Sequence, residues 1–150
     1  MSEADCTAIT NLLYTYAERL DAGDLGGVAA LFANATFRTD GMPQVVRGSA
    51  ELLDVYNQTV ALYDGSPCTK HVTTNLIIEL GPDADTAHTR SYFTVFQARP
   101  PELPLQAIIA GRYHDRFARI DGAWQFADRL IFIDLLGDLR FHLKFAVFGS

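Results

Sequence analysis

Gly111-Arg112-Tyr113-His114-Asp115-Arg116-Phe117-Ala118-Arg119-Ile120-Asp121-Gly122-Ala123-Trp124-Gln125-Phe126 is the stretch on which the fold turns. Asp121-Gly122 is a strong hairpin signal, because these residue types accept the positive φ that a two-residue turn demands. The turn joins a long strand predicted over Leu105 to Ile120 to another over Ala123 to Leu135. Upstream, Gly81-Pro82-Asp83 separates two more long strands, Cys68 to Leu80 and Ala84 to Ala98. The proline-studded run Arg99 to Pro104 between the second and third strands is expected to stay out of the sheet.

Helices precede these strands. Ser2 is a suitable cap for a first helix, with Glu3 and Asp5 in its first turn. Ile9, Leu13, Tyr16 and Leu20 recur at helical spacing, and Asp21-Ala22-Gly23 should end the helix. Asp24 can cap a short helix carrying Val28, Leu31 and Phe32. Asn34 to Asp40 and Gln44 to Arg47 read as a hairpin about Gly41-Met42-Pro43. A third helix is predicted from Gly48-Ser49 to about Tyr63, with Leu52, Val55, Tyr56, Thr59 and Tyr63 inward. After Gly137 comes an amphipathic tail with Leu139, Phe141, Leu143, Phe145 and Phe148, suited to covering a pocket or a partner subunit. Helices followed by long antiparallel strands read as α+β. A sheet this long must curl, and helices on its concave side make a cone with an apolar pocket at the open end. Residues 1–150 are expected to form one domain.

Composition narrows the partners. The net charge of -6 argues against nucleic acid, which needs a basic surface. No window approaches a membrane span and no secretory leader is evident, so a cytoplasmic protein is expected. Cys6 and Cys68, far apart in sequence, are read as thiols rather than a disulfide framework. The spacing of His88, His114 and His142 fits no metal site, so neither metal nor cofactor is expected, and these three are placed near the surface or at an interface. No phosphate-binding glycine loop or serine elbow is present.

Lys70-His71-Val72-Thr73-Thr74-Asn75 is the candidate for chemistry. Strict alternation puts His71, Thr73 and Asn75 on one face, with Val72, Leu76 and Ile78 on the other. Polar residues aimed into a curled sheet suggest a lined cavity. A neutral imidazole is a suitable base near pH 7.

The order helix, short helix, hairpin, helix and four long strands resembles the NTF2-like, or SnoaL-like, superfamily from about Cys6 to Leu136, and residues 111–126 resemble its final hairpin. Tyr16-Ala17-Glu18-Arg19-Leu20-Asp21 resembles the helix that supplies a tyrosine and an aspartate in the bile-acid 7α-dehydratases. The His71 strand resembles the one that supplies the catalytic histidine there, in scytalone dehydratase and in the lindane dehydrochlorinase. Arg129 falls where the dehydrochlorinase places an active-site arginine. Departures exist: the second histidine of scytalone dehydratase falls on Phe96 or Gln97, and its serine and asparagine on Gly111 and Tyr113.

The resemblance implies a cofactor-independent lyase of dehydratase type acting on a small hydrophobic, cyclic molecule. His71 would be the base, Asp21 its orienting carboxylate, and Tyr16 and Arg129 would assist the departing group. Asp21 opposes the helix dipole, which itself suggests a partner elsewhere. Plain core packing competes for Tyr16, and an ion pair with Asp115 or Asp128 competes for Arg129. Tyr16 and Asp21, five residues apart, do not share an ideal helix face, so either Asp21 lies past the helix end or only one of them reaches the cavity. Asn75, Tyr113, Tyr56 and Phe93 are candidate pocket-lining residues. The same cone also serves isomerases of the ketosteroid type, polyketide cyclases, ligand-binding proteins and the small subunits of ring-hydroxylating oxygenases. Self-association as a dimer or trimer is expected, since one sheet face is left for neighbours.

Overall fold

In the computed structural model, which describes residues 2–144, the chain opens with a reciprocal cap. The Ser2 hydroxyl accepts from the Asp5 N–H at 3.1 Å, and the Asp5 carboxylate accepts from the Ser2 N–H at 3.1 Å. The helix that follows, α1 (Glu3–Asp21), buries Ile9, Leu13, Tyr16 and Leu20 along one stripe. It ends because Gly23 turns left-handed, with φ 77°. A side chain there would also strike the Gly65 carbonyl, 1.8 Å from the Cβ position, so the loop leading into the main sheet packs directly on the end of α1. Asp24 caps the short α2 (Leu25–Ala30) by accepting from the Gly27 N–H at 2.9 Å.

Six strands form one sheet. They are β1 (Thr36–Thr39), β2 (Val45–Arg47), β3 (Thr69–Leu80), β4 (Thr86–Arg99), β5 (Leu103–Ile120) and β6 (Ala123–Leu136), in the order β2-β1-β6-β5-β4-β3. α3 (Gly48–Thr59) follows β2. Pairing is antiparallel throughout except between β1 and β6. Edge strand β3 and interior strand β6 both contact α1, so the sheet curls about that helix without closing. On the concave side β4 presents Ala87, Thr89, Ser91, Phe93, Val95 and Gln97, all buried. Phe93 lies flat on Tyr113, ring centroids 4.3 Å apart, because its cross-strand partner is Gly111. A Cβ at Gly111 would come within 2.8 Å of the Phe93 ring. The α+β cone read from the sequence is the observed fold, and Cys6 and Cys68 are not joined by a disulfide.

Several boundaries and faces differ from the sequence reading, each for a local reason. α3 stops at Thr59, because Val60 turns extended and bridges to Leu143. Pro104 lies inside β5, at an irregularity where the register shifts and Pro104 has no partner. In β6 a bulge opposite Arg116 and Phe117 puts Phe126 on the face of Arg129. In β3 the pairing shifts between Thr74 and Ile77, and Asn75 adopts φ 55°. That left-handed residue reverses the alternation. His71 and Thr73 keep the inner face, Leu76 and Ile78 join them against the core, and Asn75 is turned outward. Leu139 and Phe141 pack against the chain's own core, while Phe145 and Phe148 lie outside the described residues.

Asparagine tolerates the left-handed region and a β-branched residue does not. Asn75→Val is therefore expected to cost about 1–2 kcal/mol in urea unfolding, whereas Asn75→Gly should be close to neutral. Equal stabilities for the two variants would show that the bulge is not held by residue 75.

Candidate functional site

Asp21 is the last residue of α1, a place where a carboxylate meets the negative end of the helix dipole. Three donors from β3 compensate. The Thr69 hydroxyl reaches Oδ1 at 2.9 Å, the His71 backbone N–H reaches Oδ2 at 2.9 Å, and His71 Nδ1 lies 2.6 Å from Oδ1. Both side chains are nearly buried, 7% exposed for His71 and 9% for Asp21. Burial alone would raise the Asp21 carboxyl, but the hydrogen bonds and charge of His71 outweigh it and hold the group below its ordinary value of 3.8. A carboxylate only accepts, so Nδ1 carries the proton in neutral His71 and Nε2 presents its lone pair.

His71 lines a cavity of about 190 Å³ on the concave side of the sheet. Its walls are mostly apolar, including Leu20, Val55, Val95, Ile109, Ile131 and Ile133. Tyr16, Tyr56, Tyr113 and Phe93 line it, whereas Asn75 does not, because the β3 bulge turns it outward to a groove with Arg90, Tyr92 and Arg112. The hydroxyls of Tyr16 and Tyr56 are 2.8 Å apart. Burial first, then the neighbouring tyrosines, pushes Tyr56 and Tyr113 well above their ordinary value, so both are neutral phenols. The five-residue offset between Tyr16 and Asp21 is resolved by a division of labour: Tyr16 faces the cavity, and Asp21 stands behind His71 without lining it.

Arg129 is not in the wall. It is fully buried, pairs with Asp115 at 2.8 and 3.0 Å, and lies beneath the rings of Tyr113 and Tyr16, 3.6 and 4.3 Å from their centroids. Burial opposes the charge on both groups; the bidentate contact keeps Arg129 protonated. Asp128, the other candidate partner, instead accepts from Thr36 and Arg38. Arg129 therefore approaches the cavity only through two phenol rings.

His142 overturns its surface placement. It is 7% exposed and lines the cavity, its ring centroid 6.3 Å from that of His71. Burial, reinforced by the charge His71 carries when protonated, pushes it down to about 4, with Asp21 opposing. The only hint in the sequence was the amphipathic tail itself. His88, paired with Glu79, and His114 are exposed. Among the described residues no cluster of three or more His, Cys, Asp or Glu is arranged to hold a metal, and no helix is long and apolar enough to cross a membrane.

Residues 2–130 match the family described as the SnoaL-like domain. Rv3472, a protein of unknown function from Mycobacterium tuberculosis, is 28% identical over 96% of this chain and 78% of its own, with a TM-score of 0.71. A candidate scytalone dehydratase from Novosphingobium aromaticivorans is 19% identical, covering 98% and 91%, with a TM-score of 0.73. An NTF2-like protein with a cystatin-like fold from the same organism is 16% identical, covering 87% and 82%, with a TM-score of 0.71. The last two similarities establish the fold alone. The chain has no significant match among curated protein sequences.

Two measurements probe the electrostatics. Asp21 binds its proton less tightly folded than unfolded, so its contribution to stability is present above 3.8 and lost as the pH falls below that value. Asp21→Asn should cost about 2 kcal/mol at neutral pH, and its deficit relative to wild type should shrink in urea melts taken toward pH 3; a deficit independent of pH would deny the charge a role. His142 behaves in the opposite sense: the unfolded chain takes up its proton near 6.5 and the folded chain only near 4, so stability declines as pH drops between them. In a histidine-ring NMR titration the His142 imidazole should still be neutral at about pH 5; protonation near 6.5 would contradict its burial.

Proposed function

The chain belongs to the SnoaL-like domain family, and within it we propose a cofactor-independent lyase of dehydratase type in which His71 removes a carbon-bound proton from a small hydrophobic ring compound. One observation carries the reading: Asp21 lies 2.6 Å from Nδ1 of a histidine whose Nε2 has no partner among the described residues and whose ring lines an apolar cavity. Asp21 sets the tautomer and stabilises the imidazolium formed when the proton arrives.

In the favoured reaction, Nε2 of His71 takes the proton next to a carbonyl, and the C–H electron pair passes into an enolate. The pair then forms the carbon–carbon double bond as the β-hydroxyl leaves. The imidazolium returns its proton to that oxygen, so water departs and His71 is neutral again. Tyr16 and Tyr56 supply phenol donors for the departing oxygen, and Arg129 acts through them, its charge beneath the Tyr16 ring favouring negative charge on the hydroxyl side. Isomerisation uses the same base with the proton returned to a different carbon. The likeness to a candidate scytalone dehydratase is compatible with dehydration without specifying it. Self-association belongs to the same reading, since Val72, Ile77 and Tyr92 remain exposed on the outer side of β3 and β4.

The test is carbon-proton exchange in D₂O, followed by NMR, with hydroxylated steroids, polyketide-like ketols and chlorinated rings. Wild type should exchange or eliminate with at least one class, and His71→Ala should lower the rate on the order of 10²–10⁴-fold. Exchange undiminished in His71→Ala removes the base assignment. A shifted double bond without loss of water makes the protein an isomerase, and no exchange with any class favours a ligand-binding role.

A further inference from the structure

We infer that His142 is the oxygen-binding residue of this site: its ring donates a hydrogen bond to the carbonyl oxygen of a small, uncharged, single-ring ligand whose neighbouring carbon faces His71. The inference rests on the proposed reading of the cavity as a substrate site and names the substrate class and a second substrate-contacting residue.

The position of His142 is built by the fold. Its own carbonyl accepts from the Ala61 N–H at 2.9 Å. On one side the Phe141 carbonyl accepts from the Tyr63 hydroxyl at 2.8 Å and from Gln97 Nε2 at 2.9 Å. On the other side the Lys144 N–H donates to the Thr59 carbonyl at 2.8 Å. Residues 141–144 are thus tied to the end of α3 and to β4, and the imidazole between the ties is held against the cavity. Neither ring nitrogen has a hydrogen-bond partner among the described residues, and Nδ1 is wholly buried. A buried polar group left unpaired is costly where an apolar side chain would pack without penalty. The neighbours Leu139, Phe141 and Leu143 show that this segment otherwise meets the core with apolar groups.

Geometry and charge define the ligand. A centroid separation of 6.3 Å is too long for a direct hydrogen bond between the two rings. It suits a carbonyl oxygen against one ring and the adjacent C–H against the other. Because burial keeps His142 neutral, it serves as a donor that retains its proton throughout, stabilising the oxygen as enolate charge develops. Among the described residues no Lys, Arg, Asp or Glu lines the cavity, so a charged ligand would lose its hydration without gaining a counter-ion from them. Size narrows the class further. An apolar cavity of about 150 Å³ takes benzene, and drug-sized ligands need roughly 300 Å³ or more. A cavity of about 190 Å³ therefore suits one substituted ring and not a fused four-ring skeleton.

The experiment uses the full chain, labelled with ¹⁵N-histidine and titrated with 4-methylphenol, a neutral single-ring enol analogue. The expected result is saturable binding that moves the His142 ring nitrogens, about tenfold weaker binding by His142→Phe, and affinity within about threefold of wild type for His142→Gln, which keeps a neutral donor. Binding with His142 signals unmoved, a Phe variant that binds as well as wild type, or no binding up to the solubility limit of the phenol would each overturn the inference. If the Phe variant fails to fold, the wild-type ring shifts decide alone. Failure here is separable from failure of the base: ketol exchange lost in His71→Ala with the phenol result negative leaves the base standing without His142. A positive phenol result with no exchange by any compound leaves His142 as a ligand contact and removes the base.

Discussion

A carboxylate at the wrong end of a helix organises this protein. Asp21 terminates α1 where the dipole disfavours it, and it is tolerated because β3 supplies three donors within hydrogen-bond distance. Two of those donors come from His71 itself, one from its backbone and one from its ring. The contact therefore sets the position of the strand and the orientation of the imidazole together. Moving either element would strand a nearly buried charge, which is far more costly than losing an apolar contact. Helix, edge strand and candidate base are in this sense one unit, although fifty positions separate the partners in sequence.

A second polar assembly lies deeper. Arg129 and Asp115 form a fully buried ion pair, with Tyr16 and Tyr113 stacked over the guanidinium. Such a pair stabilises weakly relative to apolar packing, but it enforces one arrangement, because either partner alone would be an uncompensated buried charge. Its effect at the cavity is indirect: it holds the phenol rings and places positive charge behind them. The result is a chamber lined by no Lys, Arg, Asp or Glu among the described residues, with charged groups one layer behind, Asp21 behind His71 and Arg129 behind the tyrosines.

Much of this was legible in the sequence because it is local. The Ser2 cap, the α1 stripe, the Asp121-Gly122 turn and the long strands all follow from spacing and turn chemistry over a few residues. The pairing of Asp21 with His71 is suggested by the conflict of Asp21 with the dipole and by family resemblance, and helical spacing places Tyr56 inward. The errors cluster where alternation breaks. Period two places Asn75 inward, but its left-handed backbone at the bulge turns it out. The inward position of His142 carries no signal in the alternation of its segment, which sets it apart from Leu139, Phe141 and Leu143; the bridge between Val60 and Leu143 brings it inside.

By itself the sequence determined the elements, their order and the α+β class, since these depend on periodicities and turns that neighbouring residues impose. It also determined the residue types available for proton transfer. The tertiary structure alone decided which of them meet. A curled sheet brings the end of α1, the start of β3 and the 141–144 segment to one small cavity, and the depth of Arg129 and the inwardness of His142 arise only when those surfaces close on each other. Convergence of this kind rests on contacts across tens of residues, for which no local pattern carries a signal.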